Sequence, residues 1–301
     1  MVKSNNYICI IFLLVNFLLL NSCSNRSDLH DNLTKSEKNA ASEELKLRAY
    51  YNRLEEHKLS LGLLRQDSGG TDTPFNVEDI EEAFELLAFY SEYKIDENQL
   101  SLNPDTVELG KWNSEINIAT RFGSSVSLKQ KKKDLSEIKN LATVLSRLIN
   151  HKINITNQKA NMYIIVGNQK EVAELSLEIS RMLPEFDPKR IPIISKLPHD
   201  IHCMAITSIS SQVSPEIVSA LVIIRSELPS LMRRACFHEE ITQSLGLTND
   251  SHLVRPSIFN DDDEFAILTR LDKILLQILY DSRLYSGISR QESSEIVGQI
   301  A

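Results

Sequence analysis

Residues 236–250 constrain this chain more than any other stretch. They read Cys236-Phe237-His238-Glu239-Glu240-Ile241-Thr242-Gln243-Ser244-Leu245-Gly246-Leu247-Thr248-Asn249-Asp250. The pattern predicts a helix from about Pro229, ended by Gly246 as a C-terminal cap and followed by a short exit loop. At a helical rotation per residue, Glu239 and Gln243 fall in the arc of Met232, Ala235 and Cys236. A carboxylate and an amide on an apolar arc need a partner, because burying them unpaired is costly. That partner is a metal, a ligand or another side chain. In a structural polar cluster, the arc places Glu239 toward the interior and Glu240 at the rim.

The spacing Glu239-Glu240-x-x-Gln243-x-x-Gly246-x-x-Asn249-Asp250 resembles the metzincin metallopeptidase signature H-E-x-x-H-x-x-G-x-x-H-D. In that signature three histidines hold zinc and the glutamate beside the first is the general base. The resemblance puts Glu240 at the base, while Glu239, Gln243 and Asn249 stand where the histidines would be. His238 comes one position early, and the residue four further on is Thr242, so no H-E-x-x-H arises. Pro256-Ser257-Ile258-Phe259 occupies the region of the metzincin Met-turn. The frame therefore holds no zinc-ligand set. Glu239, Gln243, Asn249 and Asp250 offer oxygen donors, which suit a hard cation or a hydrogen-bonded cluster joining helix to loop. The structural alternative for Glu240 is a helix carboxylate paired to Arg233 or Arg234 or to solvent.

Several segments resemble a bacterial lipoprotein family known as domain of unknown function 2927. They are Leu61-Gly62-Leu63-Leu64-Arg65-Gln66-Asp67-Ser68-Gly69-Gly70-Thr71-Asp72-Thr73-Pro74-Phe75, the Cys-Phe-His-Glu-Glu run from Cys236, and Leu245 to Ser251. Arg255 to Asp262 and Leu279 to Leu284 complete the set. The likeness spans about residues 60 to 290 and brings no established activity.

The N-terminus carries Lys3, an apolar run from Tyr7 to Leu20, and then Leu20-Asn21-Ser22-Cys23. The run is short for a membrane span and suits a signal-peptide core. Leu20 to Cys23 resembles a lipobox, which implies a lipidated Cys23, attachment to a membrane in the cell envelope and, with Ser24 following, the outer membrane. Of the four cysteines, Cys203 and Cys236 remain as either a disulfide or two buried thiols. The formal net charge of −8 argues against nucleic acid as a partner. The basic run Lys129 and Lys131 to Lys133 reads as a solvated loop.

The organisation expected is a signal peptide over 1–22, a tether over 23–41, a helical extension over 42–100 and a zincin-like domain over 101–301. The fold class is α/β (α+β): a mixed sheet carrying an active-site-type helix after its last strand. A long helix from about Asp262 to Tyr280, capped by Asn260 or Asp261, is predicted downstream, the acidic run Asp261 to Asp263 opening it. Function narrows to two classes. One is an envelope-anchored binding or assembly module, with an envelope protein or peptide as partner and a degenerate metallopeptidase frame. The other is a hydrolase using Glu240 as general base with a non-zinc metal or His238.

Overall fold

The computed structural model describes residues 42–96, 99–101, 105–183, 185–211 and 213–301. The predicted signal peptide, Cys23 and the tether lie outside them. Helix α1 covers residues 42–60, and residues 51–301 form one compact unit. The dividing line thus falls at 50/51, and the expected boundary at 100 separates no unit. Among the described residues no helix is long and apolar enough to cross a membrane.

The core is a five-stranded mixed sheet. Strands β5 (Ile116–Phe122), β6 (Ile153–Ile155), β7 (Met162–Gly167), β8 (Cys203–Ile209) and β9 (Ile217–Arg225) lie in the order β6-β5-β7-β9-β8. Four run parallel; β8 alone is antiparallel and forms one edge. Every residue of β7 is buried, as expected of a strand covered by helices on both faces. On one face Tyr163, Ile165, Met204, Ile206, Leu221 and Ile223 pack with Val172 and Ile179 of α4 (Gln169–Ser180) and Ile194 of α5 (Ile191–Ile194). The alternate residues, including Ile164, Val166, Val222 and Ile224, turn to the opposite face. That face carries α3 (Leu128–Leu148) and α6 (Ser230–Gln243).

Around this frame sit α2 (Val77–Ala88), α7 (Arg270–Leu279) and α8 (Arg290–Ile300). Two small ribbons follow α2, β1 (Tyr90–Ser91) with β4 (Asp105–Thr106) and β2 (Lys94–Asp96) with β3 (Gln99–Ser101). Of these, β1 and β2 lie where only helix was expected. Two further expectations are corrected. The basic run forms the first turns of α3, whose cap is Ser127 accepting from the Gln130 amide at 3.2 Å. The late helix starts at Arg270, because Thr269 and Asp272 close a reciprocal capping box. Asp261 to Asp263 are instead a turn: Asn260 Oδ1 accepts from the Asp262 amide, and Asp263, at φ +56°, ion-pairs with Lys58.

Helix α6 is held at both ends. Pro229 offers no side-chain cap, so the Glu55 carboxylate of α1 accepts from the Leu231 and Met232 amides at 3.1 and 2.9 Å. This satisfies two orphan donors and sets a negative charge at the positive helix end. At the other end Trp112 Nε1 donates to the Ser244 carbonyl at 2.8 Å. Gly246 follows at φ +125°, and a Cβ there would lie 2.3 Å from the Gly110 carbonyl oxygen. Both the dihedral and the contact require glycine. Gly246→Ala is expected to lower stability by roughly 2 kcal/mol or more, measurable by urea unfolding; an unchanged midpoint would refute this close approach.

Candidate functional site

The chain leaving Gly246 runs against the end of α2 and the start of β1. Thr248 donates its amide to the Leu87 carbonyl and its hydroxyl to the Tyr90 carbonyl, each at 2.7 Å, and accepts from the Glu92 amide at 3.0 Å. This pairing carries Glu92 and Tyr93 to the last turn of α6. Gln243 Nε2 then donates to Glu92 Oε2 at 3.1 Å and to Asp250 Oδ1 at 3.4 Å. Asp250 is also hydrogen-bonded to Glu239, and Tyr93 to Glu92. Glu239 and Glu240 present oxygens within 4.8 Å of one another. The site is a knot of four carboxyl groups, Glu92, Glu239, Glu240 and Asp250, around one amide.

The placement departs from the helical-wheel expectation in two ways. Glu240 is the deeper glutamate, 3% exposed, while Glu239 is half-buried. The reason is that α6 is enclosed nearly all round: Met232, Arg233, Cys236, Phe237, His238, Ile241, Thr242 and Gln243 are buried too. The second departure is Asn249, which turns away and donates Nδ2 to the Leu86 carbonyl at 3.0 Å. Glu239, Gln243 and Asn249 therefore do not converge; Asp250 and Glu92 complete the group instead. Nor does Glu240 pair with the neighbouring arginines. Arg233 faces Asp134 and donates to the Ser226 and Leu228 carbonyls, and Arg234 binds Glu137.

His238 stands apart from the carboxylates. Its Nδ1 accepts from the Leu268 amide at 3.3 Å, so Nε2 carries the proton and donates to Glu137 Oε1 at 3.1 Å. His238 and Arg234 together hold the Glu137 carboxyl down to about 2. This histidine is a bridge between α6 and α3. Cys203 and Cys236 are joined by a disulfide, Cα to Cα 5.9 Å, which ties β8 to α6 one turn before the glutamates. The sulfur of Cys203 lies within 4.8 Å of the Glu239 and Glu240 oxygens, but it is no thiolate and cannot act as a soft ligand. With no imidazole or thiolate in the knot, the donor set does not fit the zinc that the metzincin frame would hold.

The electrostatics follow from burial. Two carboxylates about 5 Å apart repel by about 3 kcal/mol at an effective dielectric of about 20, and four are gathered here. Burial, then mutual repulsion, pushes Glu239, Glu240 and Asp250 well above the ordinary carboxylate range. Glu92 is raised to about 7, chiefly by burial. Lys58, half-buried, lies near Glu239 and Asp262 but is ion-paired with Asp263.

Alongside the knot runs a groove of about 650 Å³. Its floor is Met204 to Ile209 of β8, with Ser91, Tyr93 and Thr106 to Glu108 on one wall and Gln243 at its end. The Arg225 amide donates to the His202 carbonyl, so along β8 the alternate set Cys203, Ala205 and Thr207 points its backbone groups away from β9. The Ala205 amide donates to Glu240. Among the described residues no strand pairs with that outer edge.

Glu92 gives a pH signature. Its folded value of about 7 exceeds the ordinary 4.5, so the folded chain binds more protons between these values. Its stabilisation is complete below about 4.5 and is lost as the pH rises through 7. Burial drives the His202 imidazole down to about 4. Its opposite contribution is complete above about 6.5. The melting temperature in chelator should therefore fall from pH 6.5 to 8, and Glu92→Gln should flatten that slope; equal slopes would contradict the assignment.

The family model described as "Protein of unknown function (DUF2927)" matches residues 77–299. No curated protein and no solved structure matches the chain.

Proposed function

Because this chain belongs to the DUF2927 family, whose description assigns no activity, we propose its function from its own site: an envelope-tethered binding module that takes an extended peptide along the outer edge of β8. The observation that carries this reading is the edge of β8 left without a partner strand, where Thr207 and the Ala205 carbonyl face a groove while the Ala205 amide is held by Glu240. An unpaired strand edge offers a row of donors and acceptors at the spacing of an extended chain, and a partner peptide adds as a further strand. The groove walls supply alternating contacts for the side chains of such a peptide. The acidic knot at its end favours a basic residue there.

The frame lends support as well. A mixed sheet with one antiparallel edge strand, followed through β9 by the site helix, is similar to the N-terminal half of a zincin. The zinc ligands are replaced by oxygen donors, and Glu240 is enclosed and engaged with Ala205. That enclosure favours binding over the hydrolase reading, in which Glu240 would have to reach a water as general base.

Thr207→Pro removes one groove-facing amide while keeping the bonds to β9, a change that edge strands tolerate. Unstructured decapeptides selected from a displayed library on the wild type should bind the variant about tenfold more weakly, about 1.4 kcal/mol. Equal affinity, or no peptide enriched on the wild type, would sink the proposal. For the envelope assignment, which rests on the Leu20-to-Cys23 segment, Cys23→Ala should release the chain from membranes or leave it unprocessed. Unchanged membrane partition would count against lipidation.

A further inference from the structure

We propose that Glu92, Glu239, Glu240 and Asp250 form a binding site for one hard divalent cation of the calcium or magnesium class. The inference is independent of the peptide groove and begins from Glu240. This side chain is 3% exposed, and its Oε2 has no hydrogen-bond partner among the described residues. A buried carboxylate oxygen without a donor is rare unless something positive binds it. What surrounds it is not a base but three more carboxyl groups.

The geometry suits an ion. Oxygens of Glu239 and Glu240 lie within 4.8 Å of each other. Two ligands of one calcium ion, each at about 2.4 Å, can stand no more than about 5 Å apart. Glu92 and Asp250 do not share that 4.8 Å group; the single Gln243 amide that donates to both holds them beside it, and a shift of their side chains brings them to the ion. The four carboxylates come from three places in the chain, the segment after β1, the last turns of α6 and the loop after Gly246. Their convergence is therefore made by tertiary structure and not by an acidic run. Lys58 lies near Glu239, and Asp263 already holds it.

The donor chemistry selects the class. The ligand atoms of all four side chains are carboxylate oxygens, while Gln243 turns its Nε2 toward Glu92 and Asp250 as a donor and supplies no ligand. Hard cations with flexible coordination prefer such a set, whereas zinc favours imidazole and thiolate. The nearby sulfur of Cys203 is sealed in its disulfide.

The test uses full-length detergent-solubilised protein, stripped with EDTA and held at pH 8. Calcium chloride and magnesium chloride are titrated separately, followed by calorimetry and by melting temperature. The expected result is one ion per chain for at least one of the two salts, with a rise in melting temperature. Glu240→Gln should melt at or above the wild type in EDTA, because one repelling charge is gone, and should lose the salt-dependent rise. Glu92→Gln should weaken the ion at least tenfold, which keeps the test open if Glu240→Gln does not fold. Glu78→Gln, an exposed carboxylate on α2, and Thr207→Pro should both retain the wild-type response. A wild type indifferent to both salts would overturn the proposal. So would a rise that survives in Glu240→Gln and Glu92→Gln, or saturable binding of zinc alone.

Discussion

Four carboxyl groups packed around the Gln243 amide cannot all be charged at once, and much of the architecture serves to hold them together. Left to themselves they would drift apart into water, where each would gain hydration and lose its neighbours' repulsion. Helix α6 denies them that exit. Glu55 caps its start, the Cys203–Cys236 bond fixes its middle, and Trp112 with the Gly246–Gly110 contact fixes its end. The Thr248 bonds to Leu87 and Tyr90 close the remaining side by pinning the loop that carries Asp250 beside the segment that carries Glu92.

Much of this was legible from residues alone, and the failures have physical causes. The helix and the shared turn of Glu239 and Gln243 followed from periodicity, though the helix ends at Gln243 with Ser244 as its cap, before the glycine expected as the cap. The depth of the two glutamates did not, because a wheel argument assumes a helix with a wet side and α6 has scarcely one. Glu92 was invisible: it lies 151 residues from Gln243, just past a two-residue strand too short for any pattern. The start of α7 was misplaced because three aspartates outweighed Thr269 and Asp272, whose capping box is the actual signal. The family resemblance pointed to the right segments without saying how they meet. Residues 61–75 meet the segment before α7 through the Leu64, Arg65 and Ala266 amides.

Glu239, Gln243 and Asn249, which the metzincin spacing aligns in the sequence, do not gather in one site. His238, the one imidazole on α6 near the frame, spends both nitrogens on Leu268 and Glu137 and serves as a brace. Asn249 braces α2 through Leu86. Glu239, Glu240 and Gln243 on the last turns of α6 bring neither imidazole nor thiolate, the donors that zinc favours.

The disulfide between β8 and α6 has a mechanical consequence. If a partner binds along β8 as proposed, any tension on that partner arrives first at an edge strand. Edge strands ordinarily peel away one hydrogen bond at a time. Here Cys203 opens the strand with a covalent link into the turn that bears Glu239 and Glu240. Load entering at β8 is thus delivered to the interior of the molecule before the edge can unzip.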